Sequence, residues 1–200
     1  PHTDDAGRLA LIHNGIIENY ASLRRLLEEK GHTFTSETDT EVLAMLIGEF
    51  YDKDAGMALE HAVLAALREV TGAYAICVIC EHEPDTLVCA RKGSPLLIGI
   101  GNGEFVVASA ASAIVAHTTQ AMALDDYNVV RITRDGFRTS TIDDAEVTPK
   151  LMQLELALEE IELGGFEHYM KKEIHEQPAS LRNTLRGRLD DKEGAVVLGG

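Results

Sequence analysis

The sequence predicts an α+β protein built in layers, on three observations. Apolar residues recur at helical spacing from Ala21 to about Val70; from Ala73 to Ile142 the period shortens to that of extended chain; and several of the extended runs are apolar on both faces. A strand that is apolar on both faces needs cover on both sides, so the sheets must stack against helices or against each other.

In chain order, the run Leu9 to Ile12 reads as a short buried strand that ends at HNG. ASLRRLLEEKG from Ala21 reads as a helix with Leu23, Leu26 and Leu27 on one face and Gly31 as its stop. SETDTEVLAMLIGEFYD sets Thr38 three residues before Glu41, the spacing of a capping box, and continues through Val42, Leu43, Leu46, Ile47 and Phe50 at helical intervals. MALEHAVLAALREVTG is a third helix, stopped near Gly72. Strands follow in AYAICVIC, TLVCA, PLLIGIG, EFVVAS, AMAL, NVVRIT and FRTSTI, parted by the turn signals EPD, KGSP, GNG and DG, with one helical insert around Ala110 to Ala116. After Pro149 the pattern turns helical again, in LMQLELALEEIELGG and HYMKKEIHEQPASLRNTLRGR, interrupted by Gly164-Gly165 and Pro178. The expected organisation is a main domain over residues 1–149 and, over 150–200, the end of that domain with a linker. Both ends read as cut, because Pro1-His2 has no element before it and AVVLGG from Ala195 is strand-like with nothing evident to pair with.

Two hundred residues, 45% hydrophobic, suffice to bury a sizeable core. The formal charge of -15 is spread along the chain, which argues against nucleic acid and anionic membrane as partners and leaves small metabolites or proteins. No apolar stretch approaches the roughly 20 residues that span a bilayer, and PHTDDAGR lacks the pattern of a signal peptide. A cytoplasmic location is expected. Cys77 and Cys80 have the spacing of a CxxC but lie inside an apolar strand, so they and Cys89 read as buried thiols.

Asn14-Gly15 is the first candidate site. An amide NH2 and an adjacent glycine N–H are the donor types that stabilise an oxyanion, although most Asn-Gly pairs are plain turns and the dipeptide alone is weak evidence. Asp39 is the second: an Asp at a helix start is usually a cap, but Thr38 with Glu41 supplies the capping box and leaves Asp39 available to accept an ammonium. The eight histidines show no metal-ligand spacing, GIGNG reads as a hairpin turn, Arg91-Lys92-Gly93-Ser94-Pro95 as a surface turn, and Asp125-Asp126 as a lead into a strand. No Ser-His-Asp arrangement emerges from spacing.

Taken together, HNGIIENY, SETDTEV, RKGSPLLIGIG, VASAASAI and HYMKKEIHEQPASLRNTLRGR resemble the glutaminase domain of the glucosamine-6-phosphate synthases, the glutamine:fructose-6-phosphate aminotransferases, over essentially the whole chain. HNGII with SETDTE marks the wider class II glutamine amidotransferases, and HYMKKEIHEQP looks like the junction toward this family's sugar-phosphate isomerase half. The resemblance implies an N-terminal-nucleophile hydrolase fold: a four-layer αββα sandwich with two antiparallel sheets, here without its N-terminal part. It implies that Asn14 and Gly15 form the oxyanion hole for attack on the glutamine side-chain amide, and that Asp39 holds the substrate α-ammonium. It further implies L-glutamine and, through an absent isomerase domain, fructose 6-phosphate as substrates, a place in amino-sugar synthesis, no cofactor or metal, and a homodimeric parent enzyme.

One departure is serious. The family's nucleophile is an N-terminal cysteine, and an arginine in an Arg-Trp-Ala-Thr-His-Gly stretch grips the substrate carboxylate; this sequence has neither, and Cys77, Cys80 and Cys89 are not N-terminal. The expectation is therefore an oxyanion hole and ammonium site without turnover. The alternatives are a non-catalytic ligand-binding or interaction module of the same fold, and another class II enzyme such as amidophosphoribosyltransferase, against which HYMKKEIHEQP speaks.

Overall fold

The computed structural model describes residues 1–51, 56–154 and 166–185, with the backbone of 189–190 and 195–196. The chain divides into two compact units, Pro1–Glu155 and Leu156–Gly200.

The first unit opens with β1 (His2–Thr3) and β2 (Leu9–Ile17), then three helices, α1 (Tyr20–Glu29), α2 (Asp39–Phe50) and α3 (Leu59–Arg68). Strands follow: β3 (Gly72–Cys80), β4 (Leu87–Lys92), β5 (Leu97–Ile100) and β6 (Phe105–Ala108). Beyond the short α4 (Ala111–Ile114) come β7 (Gln120–Ala123), β8 (Asn128–Thr133), β9 (Gly136–Thr141) and β10 (Leu151–Gln153). The described strands of this unit make two sheets, β1-β2-β3-β4-β8-β9 and β10-β7-β5-β6. Every pairing within them is antiparallel.

Alternation along β3 explains the layering. Tyr74, Ile76, Val78 and Cys80 point to one face and pack with Leu9, Leu11 and Ile17 of β2 against α1, α2 and α3. Ala75 points the other way, with Cys89, Val130 and Ile132, to meet Ile98 and Met122 of the smaller sheet. Ile114 of α4 covers the outer face of that sheet against Ala121 and Leu154. The order is helices, large sheet, small sheet, short helix: an α+β sandwich whose two-faced apolar strands lie where the sequence requires.

Residues Glu41 to Gly48 of α2 are all buried, because the helix lies between α1, α3 and β2. The turn between β1 and β2 is clamped by Asp4, which accepts N–H groups from Arg8 at 2.7 Å and Leu9 at 3.2 Å. Arg8 in turn donates from Nη2 to the Gly48 carbonyl, joining that turn to α2. Gly31 ends α1 at φ +99°, and His32 N–H returns to the Leu27 carbonyl.

Several expectations are corrected. The strand from Leu9 does not end at Ile12: it runs to Ile17, since β3 supplies a pairing partner at every position. Leu26 is 48% exposed, while Leu23 and Leu27 are buried; the contact face of α1 is narrower than its apolar pattern. Leu151–Gln153 is not helical but pairs with β7, and the rest of LMQLELALEEIELGG, from 155 onward, falls outside the described residues. In the second unit, α5 (Tyr169–Leu185) continues through Pro178, at the loss of one backbone donor. Ala195–Val196, β12, pairs with Leu189–Asp190, β11.

Candidate active site

Asn14 and Gly15 lie inside β2, opposite Ala75 and Tyr74 of β3. Gly15 has φ +139°, and a Cβ there would stand 2.1 Å from the Ala73 carbonyl oxygen. Only glycine permits that approach. Backbone N–H groups alternate between the edges of a strand. Glu18 N–H donates to Thr71 across the β3 side, whereas Ile17 N–H leaves on the opposite edge and donates to Asp39 Oδ2 at 2.8 Å. By the same alternation Gly15 N–H shares the edge of Ile17, on the side of the Asp39 carboxylate.

Asp39 is the first residue of α2 and does not cap it. Thr38 Oγ1 accepts Glu41 N–H, as the spacing required, but only this half of a capping box forms, because Thr38 N–H donates to Ser36 Oγ and not to the Glu41 carboxylate. That carboxylate turns instead to the preceding segment, accepting the N–H and hydroxyl of Thr35 and of Ser36. Burial alone would raise the Glu41 pKa; those four bonds outweigh it and hold the carboxyl at about 2. SETD is thereby fixed in front of the helix, and Asp39 Oδ1 stays turned toward β2.

His13 is the residue the sequence reading missed. Its ring is 1% exposed, with Nδ1 3.1 Å from Thr40 Oγ1 and 3.9 Å from Asp39 Oδ1. Burial lowers its pKa against the pull of the Asp39 carboxylate and so favours the neutral imidazole. Nε2 is buried on the Ala73 side beneath Gly15 without a hydrogen-bond partner. His, Asn and Gly at consecutive positions were visible, but no local pattern says that the first faces a helix 27 residues away.

Asn14 projects from the other face of β2, into a cavity of about 250 Å³ that it shares with Cys77, Leu96, Ala108 and Ser109. Among the described residues its side-chain amide has no hydrogen-bond partner, so both N–H donors are available to a ligand. Cys77 is half-buried, not sealed as its strand context implied, whereas Cys80 and Cys89 are buried. The other candidates lie elsewhere in structural roles. Asp126 accepts Gly93 N–H at 2.9 Å and draws Arg91 to the same turn, and GNG closes the β5–β6 hairpin with Gly103 at φ +77°.

The strand thus carries an amide without a partner among the described residues beside a glycine that the β3 approach requires, with an acid from a helix start pinned to the same strand. Residues 1–116 match the glutamine amidotransferase domain, and the chain belongs to that family. Along its whole length it is 50% identical to the glutamine–fructose-6-phosphate aminotransferase (isomerizing) of Chlorobaculum tepidum, and it is 47% identical over 199 residues to that of Thermus thermophilus. It spans about a third of the length of these curated relatives, 33% and 32%. Among solved structures, the glutamine phosphoribosylpyrophosphate amidotransferase of B. subtilis superposes with a TM-score of 0.60 at 28% identity, over 71% of this chain and 30% of that one. The sandwich is thus the N-terminal-nucleophile amidotransferase fold.

Proposed function

We propose that these residues are part of the glutaminase site of a glutamine:fructose-6-phosphate aminotransferase. Asn14 Nδ2–H and Gly15 N–H receive the oxygen of the glutamine side-chain amide as it becomes an oxyanion. Asp39 accepts the substrate α-ammonium through Oδ1, its Oδ2 being engaged by Ile17 N–H. Thr40 and the neutral His13 position Asp39 without adding a positive charge beside it. The observation that carries the reading is the Asn14 amide, without a partner among the described residues, next to a position where a Cβ would stand 2.1 Å from the Ala73 oxygen; similarity to the aminotransferases over the full 200 residues supports it.

The attacking thiol and the group that grips the substrate carboxylate come, in this reading, from other parts of the intact protein, because Cys77, Cys80 and Cys89 all lie inside strands of the sandwich. Ammonia freed there passes to fructose 6-phosphate at a separate isomerase domain, giving glucosamine 6-phosphate for amino-sugar synthesis. The intact protein works as a cytoplasmic homodimer without cofactor. No helix among the described residues is long and apolar enough to cross a membrane.

The test is ammonia release from glutamine. In the intact protein, Asn14→Ala should lower kcat by roughly 10²- to 10³-fold, the usual effect of removing one oxyanion donor, and Asp39→Asn should raise KM. The 200-residue chain alone should release none. Unchanged kcat in Asn14→Ala would sink the proposal and favour a ligand-binding module, whereas turnover by the chain alone would overturn the placing of the attacking thiol elsewhere.

A further inference from the structure

The glutaminase reading makes no use of these thiols, yet one of them, Cys77, lines the Asn14 cavity and meets a second, Cys89, behind it. Cys77 of β3 stands directly opposite Cys89 of β4, and their sulfurs are 3.3 Å apart. The register adds to this. Glu81 N–H to Arg8 O and Glu18 N–H to Thr71 O show that odd-numbered residues of β3 exchange hydrogen bonds with β2, so Cys77 and Cys89 form a non-hydrogen-bonded cross-strand pair. In such pairs the Cα atoms approach to about 4.5 Å and the side chains come closest, within the span that a disulfide bridges.

The two thiols differ in access. Cys77 is half-buried and lines the cavity, whereas Cys89 is 0% exposed behind it. Cys89 donates its S–H to Cys77, which lowers the pKa of Cys77 and raises that of Cys89. The accessible thiol is therefore the readier nucleophile. Cys80 sits on the opposite face of β3, in the core against the helices.

We propose that Cys77 and Cys89 form a thiol-modification site in the wall of the Asn14 cavity, where Cys77 takes up a small disulfide and Cys89 resolves the adduct into a cross-strand disulfide. The Cys77 thiolate attacks a low-molecular-weight disulfide, forming a mixed disulfide and releasing one thiol. Cys89 then attacks the Cys77 sulfur, and its proton leaves with the second thiol. The two cysteines are oxidised by two electrons, and the reagent is reduced to two thiols. While it lasts, the adduct occupies the cavity into which Asn14 projects; the cross-strand bond clears it, because it needs no volume beyond the two sulfurs already in contact.

The test is thiol mapping on the folded chain with bis(2-hydroxyethyl) disulfide, followed by alkylation and peptide mass spectrometry. The expected result is a Cys77–Cys89 linked peptide with Cys80 alkylated as a free thiol. In Cys89→Ala the hydroxyethyl adduct should accumulate on Cys77, and in Cys77→Ser neither remaining cysteine should react. The proposal is overturned if Cys77 stays free in the native wild-type chain while a urea-unfolded control reacts, or if Cys80 reacts as fast as Cys77. The wild-type comparison needs no variant to fold.

Discussion

Asp39 accepts the backbone N–H of Ile17 at 2.8 Å, and this bond, with that between His13 Nδ1 and Thr40 Oγ1, fixes the start of α2 to the strand that carries Asn14 and Gly15. Its partners are 22 residues apart in sequence. The acid is held from both sides, Oδ2 by the strand and Oδ1 by the Thr40 hydroxyl of its own helix at 3.5 Å.

Gly15→Ala should damage the fold as well as the site. A methyl 2.1 Å from the Ala73 oxygen, on a backbone at φ +139°, forces β2 away from β3 and should lower stability by roughly 3 kcal/mol or more. Asn14→Ala, at an exposed side chain without partners, should stay within about 0.5 kcal/mol of wild type. Urea unfolding of the two variants separates them; equal stabilities would mean that the β2–β3 approach relaxes freely.

Glu41 makes stability sensitive to acid. Its folded pKa of about 2 lies below that of an unfolded glutamate, so its contribution is present above about pH 4.5 and is lost as pH falls toward 2. The contribution is on the order of 3 kcal/mol. Glu41→Gln should remove that part of the acid dependence and loosen Thr35 and Ser36. Urea midpoints measured between pH 2.5 and 6 for both proteins check this.

His32 works in the opposite sense. Burial lowers its pKa, but hydrogen bonds to Glu49 and Asp5 at its two ring nitrogens outweigh that and raise it. Stabilisation is then fully present below about pH 6.5 and lost as pH rises through the higher folded value. An NMR titration should place the His32 midpoint above that of a histidine in a short peptide, and His32→Gln should flatten stability across this window.

Asp4→Ala should cost about 2–4 kcal/mol. It leaves the buried Leu9 N–H without an acceptor and strips Arg8 of its carboxylate. Chemical denaturation gives the size, and hydrogen exchange at Leu9 should accelerate if the β1–β2 turn opens as described.

Much of the architecture was legible because it depends on local chemistry. The period change at Ala73 separates helices from strands, and AYAICVIC is apolar on both faces because it lies between two layers. The errors have the same origin. LALI reads as ending at Asn-Gly because that pair favours turns in isolation, whereas pairing with β3 carries the strand to Ile17. LMQ looked helical beside the leucines that follow, and only the edge of β7 makes it a strand.

The sequence by itself determined the layered α+β class, the positions of most elements, and Asn14, Gly15 and Asp39 as the residues to watch, since residue type and spacing carry that information. Tertiary structure decided what those residues can do. It set His13 against Thr40, tied Asp39 to Ile17, opened the cavity before Asn14 and laid Cys77 against Cys89. Each of these contacts joins segments distant in the chain, and strand register, which sets them, follows from how the layers pack rather than from any local run of residues.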